Sequence, residues 1–345
     1  MKFKRTLCLM LCLCLLAPLA ACGEGEAHER QLFAMDTVMG LTAYGKNAEA
    51  GLDSAIGVIN SLSAMLDPEM STSEAYKLNH AQGESLPISG QVAEMLNTAY
   101  SVYESTGGAL DLTIYPLVKA WGFVDANYRV PTEEEIESLL EQTGFDKLTM
   151  TALSGGQTYL VTIPDGMELS FASIAKGCAS KYAISALRSA GVESAILTLG
   201  GNVQTLGVKP NGSDWNIAIQ DPQDSEGYAG ILSLGECAVV TAGGYQRYFY
   251  GEDNVRYTHI IDPSTGYPAD TDLLSATVVA DDALMADALS TALCVLGSDG
   301  AIDYYMANGG FEMALITDDG RVLITPGLID SFELANLDYT VEMIR

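Results

Sequence analysis

The chain has 345 residues, 48% of them hydrophobic, with 34 glycines and 18% charged residues. That is enough apolar material for a sizeable core, in one large domain or two packed lobes. A formal charge of −28 repels nucleic acid and anionic membrane. It excludes both as partners of the folded domain and obliges any anionic substrate to find a local source of positive charge.

The N-terminus reads as a targeting segment. Basic MKFKR precedes apolar TLCLMLCLCLLAPLA, which is short for a transmembrane helix and suits a secretory signal. Leu19-Ala20-Ala21-Cys22 resembles the bacterial lipobox, in which the cysteine is lipidated and becomes the new N-terminus. Residues 1–21 are therefore expected to be a lipoprotein signal peptide, and residues 22–32 the lipidated Cys22 with a polar tether. Residues 33–345 would be the folded domain, extracytoplasmic and lipid-anchored to the bacterial cell membrane. Of the seven cysteines, Cys8, Cys12 and Cys14 fall in the signal. Cys178, Cys237 and Cys294 are scattered without C-x-x-C spacing and read as buried thiols, not disulfides or zinc ligands.

In chain order, residues 33–45, FAMDTVMGLTAYG, read as a strand ending at glycine. Leu52, Ile56, Ile59 and Leu62 have helical spacing and place an amphipathic helix over 49–66. A second helix covers about 89–106 and stops at Gly107-Gly108. PTEEEIESLLEQTG reads as a surface helix, with Pro131 and acids where the helix dipole favours them. Short strands and turns fill 144–172, a helix follows over about 174–190, and ESAILTLGGNVQTLGV reads as two strands meeting at Gly200-Gly201. Further strands are expected over 215–220, 229–250, 256–262 and 274–280, with a helix over about 283–296. Strands and helices mix without βαβ alternation, so the fold class is α+β with largely antiparallel sheet.

Several stretches could carry chemistry. Asp287 and Thr291 lie four apart on a helix and share a face. A carboxylate and a hydroxyl suit Mg²⁺, which completes its shell with waters and substrate phosphates, although a hydrogen bond within the helix would explain the pair as well. In SFASIAKG, Ser173 is placed to cap a helix whose backbone N–H groups could meet an anion. Lys176 opposes the helix dipole, which hints at a ligand such as phosphate; a solvated lysine is the plainer alternative. The G-x-x-x-x-G-K-[ST] spacing of a Walker loop is absent. GALDLTIYPLVKAWGF gathers Asp111, Thr113, Tyr115 and Trp121, which could wall an aromatic ligand or turn a corner of the core. LGGN at 199–202 lets backbone approach a ligand closely, or simply turns. His259 has no histidine near it in sequence, so a multi-histidine metal site is not indicated. No G-x-S-x-G elbow supports a serine hydrolase.

Together and in this order, AMDTVMG, SEAYKLN, GALDLTIYPLVKAWGF, SIAKG, LGGN, THIIDPSTGYP and ADALSTA resemble the ApbE family of FAD:protein FMN transferases, over about residues 33–297. The combination of H-x-I-D-P-x-T-G with A-D-A-x-x-T is the specific part. The lipobox agrees, since many members are lipoproteins. The resemblance implies an ApbE-like, T-fold-related architecture of largely antiparallel sheets and packed helices, with FAD in a central cleft and Mg²⁺ at its pyrophosphate. A threonine or serine hydroxyl of a target protein attacks the FMN-side phosphorus and AMP leaves. Targets would be exported flavoproteins such as electron-transport complex subunits. Some relatives mainly hydrolyse FAD, so a FAD pyrophosphatase is the first alternative and a non-catalytic FAD-binding lipoprotein the second.

Carried over by position, the resemblance implies metal ligands at the Ser173 main-chain carbonyl, the Asp287 carboxylate and the Thr291 hydroxyl. It implies FAD contacts at Met35, Met65, Ala109, Leu110, Asp111, Ser170, Lys176 and Ile261. His259 would lie beside the flavin and phosphate as orienter or proton acceptor. The chain departs from the family at three of its positions. Ser170 stands where aspartate is usual, Lys181 where an acid is common, and Met65 where an aromatic is frequent. The nucleophile belongs to the partner, which accounts for the lack of a serine or cysteine triad, and phosphoryl transfer needs mainly positioning and charge neutralisation.

Overall fold

The computed structural model describes residues 25–153, 158–252 and 254–345. The expected signal peptide and Cys22 lie outside the described residues. In chain order the elements begin with β1 (Ala27–Ala34), β2 (Thr37–Tyr44), α1 (Ala48–Leu66), α2 (Glu74–Asn79), β3 (Leu86–Ile88) and α3 (Gly90–Ser105). There follow α4 (Tyr115–Ala120), α5 (Glu133–Leu140), β4 (Thr149–Ala152), β5 (Tyr159–Thr162) and α6 (Ala175–Ser189). The hairpin β6 (Ala195–Leu199) and β7 (Asn202–Leu206) precedes β8 (Trp215–Gln220), β9 (Tyr228–Leu234), β10 (Ala238–Ala242), β11 (Tyr248–Tyr250) and β12 (Arg256–Thr258). The chain ends with β13 (Leu273–Ala280), α7 (Ala283–Asn308), β14 (Glu312–Thr317), β15 (Arg321–Ile324), β16 (Phe332–Leu334) and β17 (Thr340–Met343).

The architecture is α+β. One nine-stranded sheet runs β1-β2-β6-β7-β10-β13-β14-β15-β17, antiparallel throughout except for the final β15–β17 pair. Its two faces serve two cores. On one face the apolar stripe of α1 (Leu52, Ile59, Leu62, Leu66) packs with α6 and α7 over Met39, Leu197, Val240 and Val278. This is the i, i+3/i+4 spacing read from the sequence. On the other face Val239, Val279 and Ile316 pack under the three-stranded sheet β16-β9-β8, with Trp215, Ile217 and Leu232. A third, smaller cluster joins α4 and α5 to the segment after β12: Leu117, Trp121, Phe123, Ile136 and Ile261. α7 is long and apolar enough to cross a membrane by length and composition, but most of it is buried in the protein.

Several boundaries differ from the sequence reading. The expected strand 33–45 is a hairpin whose first arm begins at Ala27, inside the stretch read as tether. Its two-residue turn, Met35-Asp36, has φ of 49° and 58°. This fits a primed hairpin turn, without the glycine or asparagine that would have announced it. The expected strand 229–250 is three strands in three different sheets. α7 does break at Gly297 (φ 73°), where the helix was expected to end. Asp272, however, accepts the Ser298 N–H at 2.9 Å and restarts the helix.

Candidate active site

The site is built where α6 meets α7. Gly177, early in α6, comes so close to α7 that a Cβ there would sit 2.3 Å from the Ala283 carbonyl oxygen and 2.6 Å from Asp287 Cβ. That approach brings the Gly177 N–H to 2.7 Å from Asp287 Oδ2. Asp287 is 4% exposed, and burial pushes its carboxyl above the ordinary range. The Lys176 ammonium, the Gly177 N–H and the Asn202 side chain pull the other way, favouring the ionised form. Thr291 lies one turn further along α7, half-buried; no hydrogen bond to Asp287 ties its hydroxyl down.

Ser173 does not cap α6, contrary to the sequence reading. The turn at 172–174 is closed by the Ile174 N–H to Phe171 carbonyl bond of 2.9 Å. The helix therefore starts at Ala175, with Ile174 at the cap position and no capping side chain. Lys176 is the second residue of α6 and is half-buried.

Two hairpin turns stand side by side next to this contact. Gly200 (φ 55°) and Gly201 (φ 93°) form the β6–β7 turn, and a Cβ on Gly200 would meet Thr37 Oγ1 at 2.6 Å. Thr37 follows the Met35-Asp36 turn, so Gly200 is needed to let the two turns touch, while Gly201 faces the Thr241 carbonyl. The Met35 N–H donates to Ser63 Oγ at 3.4 Å, tying this turn to α1. Met65, half-buried on α1, accepts the Ser89 hydroxyl at its sulfur at 3.5 Å. Asn202, the first residue of β7, is 2% exposed, and its Nδ2 has no hydrogen-bond partner.

The 109–113 segment is fixed from within. Ala109 and Leu110 are buried. Asp111 Oδ1 accepts the Thr113 N–H and hydroxyl, both at 2.7 Å, and Oδ2 accepts the Phe145 N–H at 3.1 Å. The Asp111 carboxylate therefore holds its own loop. The Leu112 carbonyl accepts the Ser170 N–H at 2.9 Å, aligning this loop with the approach to α6. One step earlier, Asn79 clamps Leu169 by both backbone groups, at 3.0 and 2.9 Å.

His259 follows β12. Its backbone N–H and its Nδ1 both meet the Arg247 carbonyl, at 3.1 and 3.2 Å. A carbonyl only accepts, so Nδ1 carries the proton and Nε2 keeps its lone pair. Burial, followed by the Arg247 and Lys176 charges, holds the imidazole at about 4, so it is neutral at pH 7. Lys176 is thus a charged neighbour of both His259 and Asp287. The rest of the His-to-Pro run is a scaffold. Asp262 Oδ1 accepts the Ser264 N–H and hydroxyl at 2.8 and 2.7 Å. The Gly266 carbonyl accepts Trp121 Nε1 at 2.9 Å, and Trp121 and Ile261 are buried together. For Trp121 the core alternative holds.

Of the three departures, Lys181 points away from any ligand role. Its ammonium bridges Glu94 Oε1 at 2.7 Å and Asp282 Oδ2 at 2.8 Å, while Asp282 Oδ1 caps α7 by accepting the Leu284 N–H. Ser170 Oγ accepts the Ala172 N–H at 3.3 Å. Sequence reasoning missed Gly177, Arg247 and the side chain of Asn202. Only the last had a signal, as the polar residue closing LGGN.

An α+β domain with one buried carboxylate at a helix–helix contact, a lysine beside it and a neutral histidine sharing that lysine resembles known flavin transferases in fold as well as in sequence. Residues 35–315 match the ApbE family. The FAD:protein FMN transferase of Treponema pallidum (strain Nichols) is 30% identical over 349 residues, covering 95% of this chain and 96% of that protein. The FAD:protein FMN transferase of Vibrio cholerae is 34% identical over 271 residues, covering 76% and 79%. Among solved structures, the ApbE protein of Thermotoga maritima superposes with a TM-score of 0.78 at 28% identity, covering 90% of this chain and 97% of that one. The apo flavinyl transferase ApbE of Pseudomonas stutzeri superposes with a TM-score of 0.76 at 29% identity, covering 86% and 93%. The chain belongs to the ApbE family.

Proposed function

We propose that this protein transfers the FMN moiety of FAD to a threonine or serine hydroxyl of a target protein, with Mg²⁺ as cofactor. The observation that carries the reading is the α6–α7 contact, where the Gly177 N–H, next in sequence to Lys176, meets the buried Asp287 carboxylate, in a chain whose relatives are named FAD:protein FMN transferases. The acceptor hydroxyl oxygen forms a bond to the FMN-side phosphorus. The bond from that phosphorus to the bridging oxygen breaks, AMP leaves, and the hydroxyl proton passes to His259 Nε2.

The residues fit the cation. Among the described residues no group of three His, Cys, Asp or Glu could hold a metal. Mg²⁺, however, commonly takes one or two carboxylates and fills its shell with neutral oxygens, waters and substrate phosphates. Asp287 would supply the carboxylate, Thr291 the hydroxyl, and the Ser173 main-chain carbonyl a third oxygen. When bound, Mg²⁺ neutralises diphosphate charge and polarises the phosphorus. Lys176 adds a fixed cation, which matters in a protein of this net charge. Met35, Met65, the 109–111 segment, Ser170 and Ile261 would line the FAD cleft. The acceptors would be exported flavoproteins such as electron-transport subunits, met outside the cytoplasm by a protein anchored through lipidated Cys22.

AMP release from FAD in the presence of an acceptor domain tests the assignment. Asp287→Asn is expected to lower the rate by at least about a hundredfold. His259→Asn should do the same with FAD affinity within a few-fold of the parent protein. Full turnover by either variant would remove that residue from the mechanism.

A further inference from the structure

The Asp287 carboxylate has one donor on Oδ2, the Gly177 N–H. Its rotation is not fixed by one bond. The group that could fix it is Asn202, which is 2% exposed with an Nδ2 lacking any partner. A buried amide donor left unpaired is costly, so its presence calls for a reason. Asn202 is locked in place: it begins β7 directly after the Gly200-Gly201 turn wedged against Thr37, and its backbone pairs with Leu199 and Val240. β7 packs against both α6 and α7, which sets the buried, unpartnered Asn202 amide at the helix contact that carries Asp287; its effect there is to favour the charged carboxylate.

We propose that Asn202 is a positioning residue for the cation site: its amide donates to the Asp287 carboxylate and sets the rotation that presents the oxygen not held by Gly177 to Mg²⁺. The proposal rests on the reading of Asp287 as a metal ligand. It assigns to the last residue of LGGN a task that its glycines do not perform. Groups that orient metal ligands affect affinity by about 10–100-fold. A neighbouring side chain supplies a built-in comparison: Gln204, two residues along β7, is 5% exposed with an unpartnered Oε1 and is not among the groups that shift the Asp287 carboxyl.

The test is calorimetric titration of Mg²⁺ alone into the purified protein. Asn202→Leu is expected to raise the Mg²⁺ Kd about tenfold, and Gln204→Leu to leave it within about twofold. Asn202→Ala, which removes the amide without adding bulk, should raise it similarly and carries the test if the leucine variant does not fold. An unchanged Kd in folded Asn202→Leu or Asn202→Ala overturns the proposal. So does an equal loss in Gln204→Leu, which would mark a general loosening of the sheet. Absence of Mg²⁺ binding by the unaltered protein would overturn the metal reading together with this one, and is distinguishable because it appears before any substitution.

Discussion

Gly177 has no room for a side chain, and that single restriction sets where Asp287 lies. The obstacles to a Cβ are a backbone carbonyl and the Asp287 Cβ itself, neither of which moves as a flexible side-chain tip would. Gly177→Ala is expected to cost about 1–3 kcal/mol, as overpacking does, and to weaken Mg²⁺-dependent turnover because the helices must part. Thermal unfolding and an AMP-release assay check this, and parent-like values in both would contradict it. His259 behaves differently because its charge state is the sensitive quantity. Its value is lowered to about 4 from an unfolded value of about 6.5. Its share of stability is therefore complete above about pH 6.5 and is lost as pH falls toward 4, where the unfolded chain binds more protons than the folded one. As a base it stays unprotonated well below neutrality. The acid limb of kcat/KM, which reports the free enzyme, is therefore not expected at the usual histidine value. Arg247→Gln removes one cation that depresses it and should move that limb to higher pH; a limb that stays in place would mean that the Arg247 charge does not reach the base.

The helices show which parts of the site were legible in the sequence. Asp287 and Thr291 could be paired from spacing on α7, since i, i+4 neighbours share a face whatever the helix packs against. The end of that helical run at Gly297 was likewise readable. Gly177 was not, because its role depends on a second helix more than 100 residues away. The Met35-Asp36 turn escaped for a local reason: a methionine at positive φ is uncommon, and no turn residue marks the first position. Ser173 was misjudged as a cap because the sequence does not show that the turn before α6 closes on Phe171. Lys181 shows the opposite case, a departure with a structural explanation. It ties α3 to the cap of α7 through Glu94 and Asp282, all three being about a third exposed or more. Lys181→Ala should cost less than about 1 kcal/mol, as partly exposed ion pairs do, and should leave the FAD Kd unchanged. A tenfold loss of FAD affinity would return Lys181 to the cleft.

At the scale of the molecule, the α+β class and antiparallel character followed from mixed periodicities. The strand order of the large sheet did not, because the β2–β6, β7–β10 and β13–β14 ladders pair segments far apart in the chain, which no local pattern marks. The region after 309, four strands that complete the nine-stranded sheet and the β16-β9-β8 sheet, left no motif to read. The resemblance to the ApbE family was carried by short stretches, and the fold explains their spacing. AMDTVMG and LGGN form the touching turns. SIAKG and ADALSTA form the α6–α7 contact, and GALDLTIYPLVKAWGF and THIIDPSTGYP dock on each other through Trp121 and Gly266. The function proposed for this shape is the transfer of FMN onto another protein. The most direct measurement is the intact mass of an exported acceptor domain carrying a threonine, after incubation with this protein, FAD and Mg²⁺, with Asp287→Ala in parallel. The expected result is an acceptor heavier by one FMN with an equal yield of AMP, both absent in the variant. An unmodified acceptor with FMN and AMP accumulating, or with FAD bound and never consumed, would contradict it.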